Sequence, residues 1–354
     1  MQKLTHTLSR ILPLNPALAR RVQARLDSLT KPQGSLGRLE ELALRCALIT
    51  GQERPQVENK VLFVLCADHG VCDEGVSAYP RAVTAQMVEN FLRGGAAITV
   101  LARQLGIQVR VVDMGVDYPF EPQMPGLIQC KIAHGTANLA RGPAMTRETA
   151  LRAVETGIAL AEEAVREGAQ LLGVGEMGIG NSTAAAAVLS ALSGLTPAEV
   201  TGTGTGIDET VWRKKVEVVD RALSCNRPDP TDPLGVLASV GGYEIAGITG
   251  VCLAGTALGV PVVVDGFIAT AGAWAACVFH PLVKDRLIFS HTSAEQGHGC
   301  VLAALQVKPL LDLGMRLGEG TGAALGMGLV ESAVRLCNEM ATFAEAGVEE
   351  KKEF

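Results

Sequence analysis

Aromatic side chains are scarce in this chain, where Phe, Trp and Tyr together make up 4% of 354 residues. So few rings offer no stacking platform for single-stranded nucleic acid. Charge is also sparse, at 19% of residues, and the formal net charge is -6. No cluster of lysine or arginine stands out, so the electrostatic footprint of a polyanion partner is missing and nucleic acid is excluded as a partner. Nine cysteines are present without a CxxC pair, HExxH is absent, and no Cys/His cluster has zinc spacing. The cysteines read as reduced, buried thiols of a cytoplasmic protein. The first 21 residues have no continuous apolar core and no small-residue cleavage site, so export is not expected.

Charge is missing altogether from residues 245–264 and 266–283, lengths that reach the threshold for a membrane span. Pro261 divides the first run, glycines recur, and no Lys/Arg flank or Trp/Tyr belt frames it. The expectation is therefore no membrane span, but a buried helix, a parallel strand covered on both faces, and another buried helix.

Glycine, by contrast, is abundant: 40 residues, about 11% against a typical ~7%. The first 50 residues read as helical, one helix opening at Asn15 and Pro16 and a second capped by Ser35 and ending near Gly51. From residue 56 short apolar strands alternate with longer helical segments, the signature of an α/β fold with a parallel sheet. Strands are expected at Val61–Cys66, Val109–Asp113, Leu171–Val174, Val262–Val264 and Leu287–Phe289, with a further one near Val200. Helices are expected at Arg81–Leu105, Arg147–Gly168, Ser182–Ser193, Asp208–Leu223, Tyr243–Leu258 and Phe267–Phe279, and a last one at Gly322–Ala346. Polar and glycine residues gather directly after the strands, where open parallel sheets bind ligands.

Several of these segments carry chemistry. GEMGIGNST (175–183) follows a strand and opens a helix, so its backbone N–H groups and hydroxyls suit an anion, although a tight turn with an ordinary cap would read the same way. It is neither a Walker A loop nor a GxGxxG fingerprint. TGTGTGIDETVWRKK (201–215) is a second glycine-rich loop before a helix; Lys215 reads either as a point charge for that anion or as a solvated lysine. Asp68 and His69 read as structural more readily than as metal ligands. A metal shared by His291 and His298 has little support, and Glu295 reads as a cap for the helix after it. Ser77, Tyr79 and Gln86 precede or open a helix and either form an ordinary loop or line a pocket. Glu319, isolated between glycines in RLGEGTGAALGM (316–327), reads equally as a helix-start carboxylate or as a general base whose proton affinity is raised by desolvation.

KPQGSLGRLE, ADHGV, EGVSAYP, VTAQMVENFLRGGAAITVLA, GEMGIGNST, GTGID, VGGYEIAGITG, DGFI, SHTSAEQGH and LGEGTGAALGM, in this order between residues 30 and 330, resemble the nicotinate-nucleotide–dimethylbenzimidazole phosphoribosyltransferase family of the cobalamin lower-ligand pathway. The resemblance implies displacement of nicotinate from nicotinate mononucleotide by 5,6-dimethylbenzimidazole, giving α-ribazole 5′-phosphate with inversion at the ribose carbon. The leaving group is already a pyridinium and there is no pyrophosphate, so neither a metal nor a cofactor is implied. Glu319 would accept the proton of the base. Glu176, Gly178, Ile179, Gly180, Asn181, Ser182, Gly202, Thr203, Gly204 and Lys215 would hold phosphate and ribose. Ser77, Tyr79, Gln86, Met177 and Leu317 would line the base pocket. Some family members carry Phe where Tyr79 stands and Arg where Thr203 stands. The family fold implies a Rossmann-like parallel α/β catalytic domain, here residues 56–324, with a smaller helical domain from both chain ends, residues 1–55 plus 325–354, and a homodimer. The alternatives are a nucleotide-dependent oxidoreductase, which the missing GxGxxG disfavours, and a protein that binds nucleotide or benzimidazole without turnover.

Overall fold

The computed structural model describes residues 2–204 and 206–349. Met1, Thr205 and residues 350–354, which the sequence reading assigned to the helical ends and to the second glycine-rich loop, lie outside the described residues. Three helices open the chain: α1 (Gln2–Ser9), α2 (Pro16–Ser28) and α3 (Arg38–Thr50). Asn15 caps α2 by accepting the Ala17 N–H at 3.0 Å, and Pro16 takes the first helical position, where its missing N–H costs nothing. The expected cap at Ser35 is overturned. Gly37 occupies the cap position of α3, and the Glu40 carboxylate reaches back to the Leu36 N–H at 3.0 Å.

Six strands follow: β1 (Lys60–Ala67), β2 (Ile107–Gly115), β3 (Leu127–Gln129), β4 (Leu171–Met177), β5 (Val262–Val264) and β6 (Leu287–Phe289). They form one parallel sheet in the order β3-β2-β1-β4-β5-β6. The chain runs outward from β1 on one side and returns beside it as β4, so the order reverses between β1 and β4. The carboxyl ends of these two strands flank the crevice in which open α/β sheets bind ligands. Five strands stand where the sequence pattern puts them. The edge strand β3 was not expected, because its Leu-Ile-Gln runs from buried to exposed and lacks the continuous apolar run that marks β5 and β6.

The expected helix Arg81–Leu105 is two helices, α4 (Val83–Arg93) and α5 (Ala97–Leu105), parted at Gly94 and Gly95. Further along come α6 (Arg147–Arg166) and α7 (Asn181–Ser193). The expected strand near Val200 is instead a single turn, α8 (Pro197–Val200), because Thr196 and Glu199 form a reciprocal capping box with Pro197 first in the helix. Next are α9 (Glu209–Asn226), α10 (Pro233–Val240), α11 (Tyr243–Leu258), α12 (Phe267–Phe279) and α13 (His298–Ala304). The expected final helix Gly322–Ala346 divides into α14 (Thr321–Glu339) and α15 (Phe343–Ala346), the second started by a capping box at Thr342.

Apolar side chains alternate across the sheet. Phe63, Leu65, Val262 and Val264 join a core with α6, α7, α10, α11 and α12. Leu62, Val64 and Val263 join a second core with α4, α5 and α14, behind which α2 and α3 pack. The uncharged run at residues 245–264 is explained by α11, whose residues Tyr243–Thr256 are all buried. Such a helix, apolar all round, is the centre of a layer. No helix among the described residues is long and apolar enough to cross a membrane. Where α6 crosses α11, a Cβ on Gly157 would run into the Gly247 carbonyl and one on Gly250 into that of Val154, so the backbones meet directly.

Candidate active site

At the carboxyl ends of β4, β5 and β6 lies a cavity of about 500 Å³. Glu319 reaches it from the loop before α14. Its own φ is 62° and those of Gly318 and Gly320 are 84° and 87°, so three successive residues sit in the left-handed region. For a glutamate this is strained backbone, held by its surroundings. A side chain on Gly318 would stand 2.5 Å from Glu176 Oε1, and one on Gly320 would stand 2.7 Å from Leu62. Only glycine lets the loop bend this tightly against β1 and β4. The Glu319 side chain is buried, and its carboxyl is pushed up to about 7, chiefly by desolvation and then by the charge of Asp265; the Ile98 N–H opposes the shift. A carboxylate so placed exchanges its proton near neutral pH.

Asp265, after β5, anchors this loop. It accepts the Gly320 N–H at 3.0 Å and the Ala323 N–H at 2.9 Å, both at the start of α14. His291 Nε2 stands 3.9 Å from it. Glu176, at the end of β4, is buried and hydrogen-bonded by the Asn181 side chain. Burial, together with the charges of Asp265 and Glu244, holds its carboxyl well above the usual carboxylate range, against the pull of the Asn181 hydrogen bond. His298 accepts the Ser293 N–H on Nδ1 at 2.8 Å, which leaves Nε2–H to donate to Thr270 at 3.1 Å. Burial pushes its imidazole down to about 3, so it stays neutral, and with both nitrogens engaged it has none for a metal shared with His291.

The two glycine-rich loops meet at the other end of the cavity. Gly178, Ile179, Asn181 and Ser182 line it, with α7 starting at Asn181. Lys215, on α9, is fully buried; its ammonium donates to Ser182 Oγ at 2.9 Å and to the Gly202 carbonyl at 3.3 Å, tying the loops together. Desolvation lowers it to about 8. Glu295 does not cap α13. Its two carboxylate oxygens accept the Gly204 N–H at 2.9 and 3.0 Å, because the Gly202–Gly204 backbone wraps around them. Arg316 donates to the Gly204 carbonyl at 2.8 Å and brings a guanidinium to the same wall.

The apolar wall is made by Met177, Tyr79 and Leu317, the last two more than half exposed, with Val83 and Met87 from α4. Phe267 and Ile268, at the start of α12, close the far side. Not every sequence-derived residue reaches this cavity. Ser77 instead accepts the Tyr79 N–H at 3.2 Å, and Gln86 lines a neighbouring polar cavity with Arg81 and Asp117. Gly180 is the left-handed cap of α7, and Thr203 is exposed. Asp265, Glu295 and Arg316 were not among the expected site residues, although each lies in a motif already singled out; Asp265 alone carried a signal, a charge directly after a strand and before a glycine.

A family model described as Phosphoribosyltransferase matches residues 11–348. The nicotinate-nucleotide–dimethylbenzimidazole phosphoribosyltransferase of Geobacter sulfurreducens is 58% identical over 350 residues, covering 99% of each chain. That of Chloroflexus aggregans is 54% identical over 353 residues, covering 100% of each. The crystal structure of CobT from Thermus thermophilus superposes with a TM-score of 0.91 at 50% identity, covering 95% of this chain and 100% of that one. The oxidoreductase and binding-only readings give way to this transferase family.

Proposed function

The chain belongs to the nicotinate-nucleotide–dimethylbenzimidazole phosphoribosyltransferase family, and from that premise we propose how its cavity carries out the transfer of the 5-phosphoribosyl group of nicotinate mononucleotide to 5,6-dimethylbenzimidazole in cobalamin synthesis. The phosphate lies at the end where Gly178–Ser182 meets Gly202–Gly204, with Lys215 and Arg316 supplying positive charge. The bicyclic base lies against Met177, Leu317, Tyr79, Val83 and Met87. The unprotonated ring nitrogen of the base attacks the ribose carbon on the face opposite nicotinate. The breaking carbon–nitrogen bond returns its electron pair to the pyridinium, which leaves neutral. Glu319 takes the N–H proton of the base, so α-ribazole 5′-phosphate forms without a positive charge on its ring.

The observation that carries this reading is that Glu319, desolvated in its glycine-flanked loop, opens onto the same cavity as both glycine-rich loops. Nicotinate release by wild type and Glu319→Gln tests it. Glutamine keeps the loop geometry and an acceptor for the Ile98 N–H but removes the base, so turnover should fall about 10²- to 10⁴-fold while the nucleotide still binds. Turnover near wild type would refute the assignment.

Three further properties belong to this proposal. A homodimer rests on the family resemblance. A cytoplasmic setting is supported by nine free cysteines. The division into residues 56–324 and a smaller helical unit from both ends rests likewise on the family resemblance.

A further inference from the structure

Glu295 has no task in the transfer chemistry, yet its carboxylate is buried at the nucleotide end of the cavity. A charge taken out of water in this way needs compensation. Both of its oxygens accept the single Gly204 N–H, at 2.9 and 3.0 Å, and the Gly202 backbone passes so close that a Cβ there would run into the carboxyl group. The same three residues meet the Lys215 ammonium. It stands 3.3 Å from the Gly202 carbonyl, and a Cβ on Gly204 would approach it to 3.0 Å. A buried carboxylate and a buried ammonium thus grip one short loop. Among the described residues Glu295 is the charged group whose field acts on that ammonium, and it favours the protonated form. Arg316, the other cation at this wall, is turned to the Gly204 carbonyl at 2.8 Å. At the start of the loop the Trp212 indole N–H donates to the Thr201 carbonyl at 2.8 Å.

We propose that Glu295 is a positioning residue, which holds the Gly202–Gly204 loop folded onto Lys215 and balances the charge of the buried ammonium, so that the nucleotide end is formed before nicotinate mononucleotide arrives. This rests on the cavity assignment given under Proposed function. Alanine at position 295 removes both acceptor and charge and leaves the Gly204 N–H without its partner. Glutamine keeps an oxygen for that N–H and removes only the charge. The two variants therefore separate the two tasks.

The test is nicotinate release by Glu295→Ala, Glu295→Gln and Lys215→Met, with each substrate and the pH varied in turn. Beside it, acrylamide quenching of Trp212 fluorescence is measured without substrate in a Trp274→Phe background, which leaves Trp212 as the one tryptophan. Glu295→Ala should raise KM for nicotinate mononucleotide on the order of tenfold or more, with little change in kcat or in KM for the base, and should increase the quenching of Trp212. Glu295→Gln should recover most of that KM. Its basic limb of kcat/KM should move below the wild-type position near pH 8, because the ammonium has lost its counter-charge, while the acid limb near 7 stays in place. Wild-type quenching in Glu295→Ala, a wild-type basic limb in Glu295→Gln, or both limbs moving together would overturn the proposal. If Glu295→Ala does not fold, the basic limb of Glu295→Gln decides alone. Lys215→Met separates this proposal from the reading beneath it. An unchanged KM for nicotinate mononucleotide in that variant would count against the phosphate assignment, whereas an unchanged KM in Glu295→Ala beside a raised one in Lys215→Met would overturn the role of Glu295.

Discussion

Gly157 and Gly250 lie where α6 crosses α11, and Gly318 and Gly320 flank the Glu319 carboxylate. At the crossing, glycine lets two backbones touch in ordinary helical conformation, and the gain is dense packing of a helix buried on every side. In the loop, glycine admits a left-handed path that carries one glutamate into a desolvated position, and the backbone strain is held by Asp265 and Leu62. The same residue type thus serves stability in one region and a proton affinity in the other. Substitutions in the two regions should separate these properties.

The largest effect belongs to the loop, where Glu319→Gln lowers turnover about 10²- to 10⁴-fold while leaving the unfolding midpoint near that of wild type. Next comes Lys215→Met. Loss of the buried ammonium should raise KM for nicotinate mononucleotide about ten- to a hundredfold, the usual worth of a charge-assisted hydrogen bond, with a smaller effect on kcat. An unchanged KM would remove Lys215 from the phosphate end. The smallest effect on catalysis belongs to the crossing. Gly157→Ala should destabilise by about 1–3 kcal/mol through backbone overpacking, read as a drop of several degrees in the melting temperature, with kcat preserved. Loss of kcat without loss of stability would break the comparison.

The parts of the fold that stood clear in the sequence are those where apolar pattern and punctuation coincide. α11 ends at Gly259, β5 follows Pro261, and α12 follows the Asp265–Gly266 turn, so their bounds could be read directly. β3 could not, because Leu-Ile-Gln is not the wholly apolar, buried run that marks β5 and β6, and α8 could not, because a single turn carries no repeating apolar face. In the site, GEMGIGNST was legible because a run of glycines follows a strand and opens a helix, and Glu319 because a lone carboxylate stands between glycines before an apolar helix. The Glu295–Gly204 and Arg316–Gly204 contacts join residues about a hundred positions apart, and spacing along the chain carries no sign of them. Gln86 shows the converse. It has the right residue type on the right helix, but α4 turns Val83 and Met87 to the cavity and leaves Gln86 on another face.

The central claim is that burial and Asp265 bring the Glu319 carboxyl into the neutral range, where it serves as the base. The pH dependence of kcat/KM tests this directly, since it reports groups of the free enzyme. A carboxyl raised from 4.5 to about 7 is protonated, and inactive as a base, below that point. Activity should therefore rise with pH through about 7, and a second limb should fall above about 8 as Lys215 loses its charge. The account predicts that the acid limb disappears from the residual activity of Glu319→Gln while the basic limb remains. An acid limb that persists unchanged in that variant would contradict it.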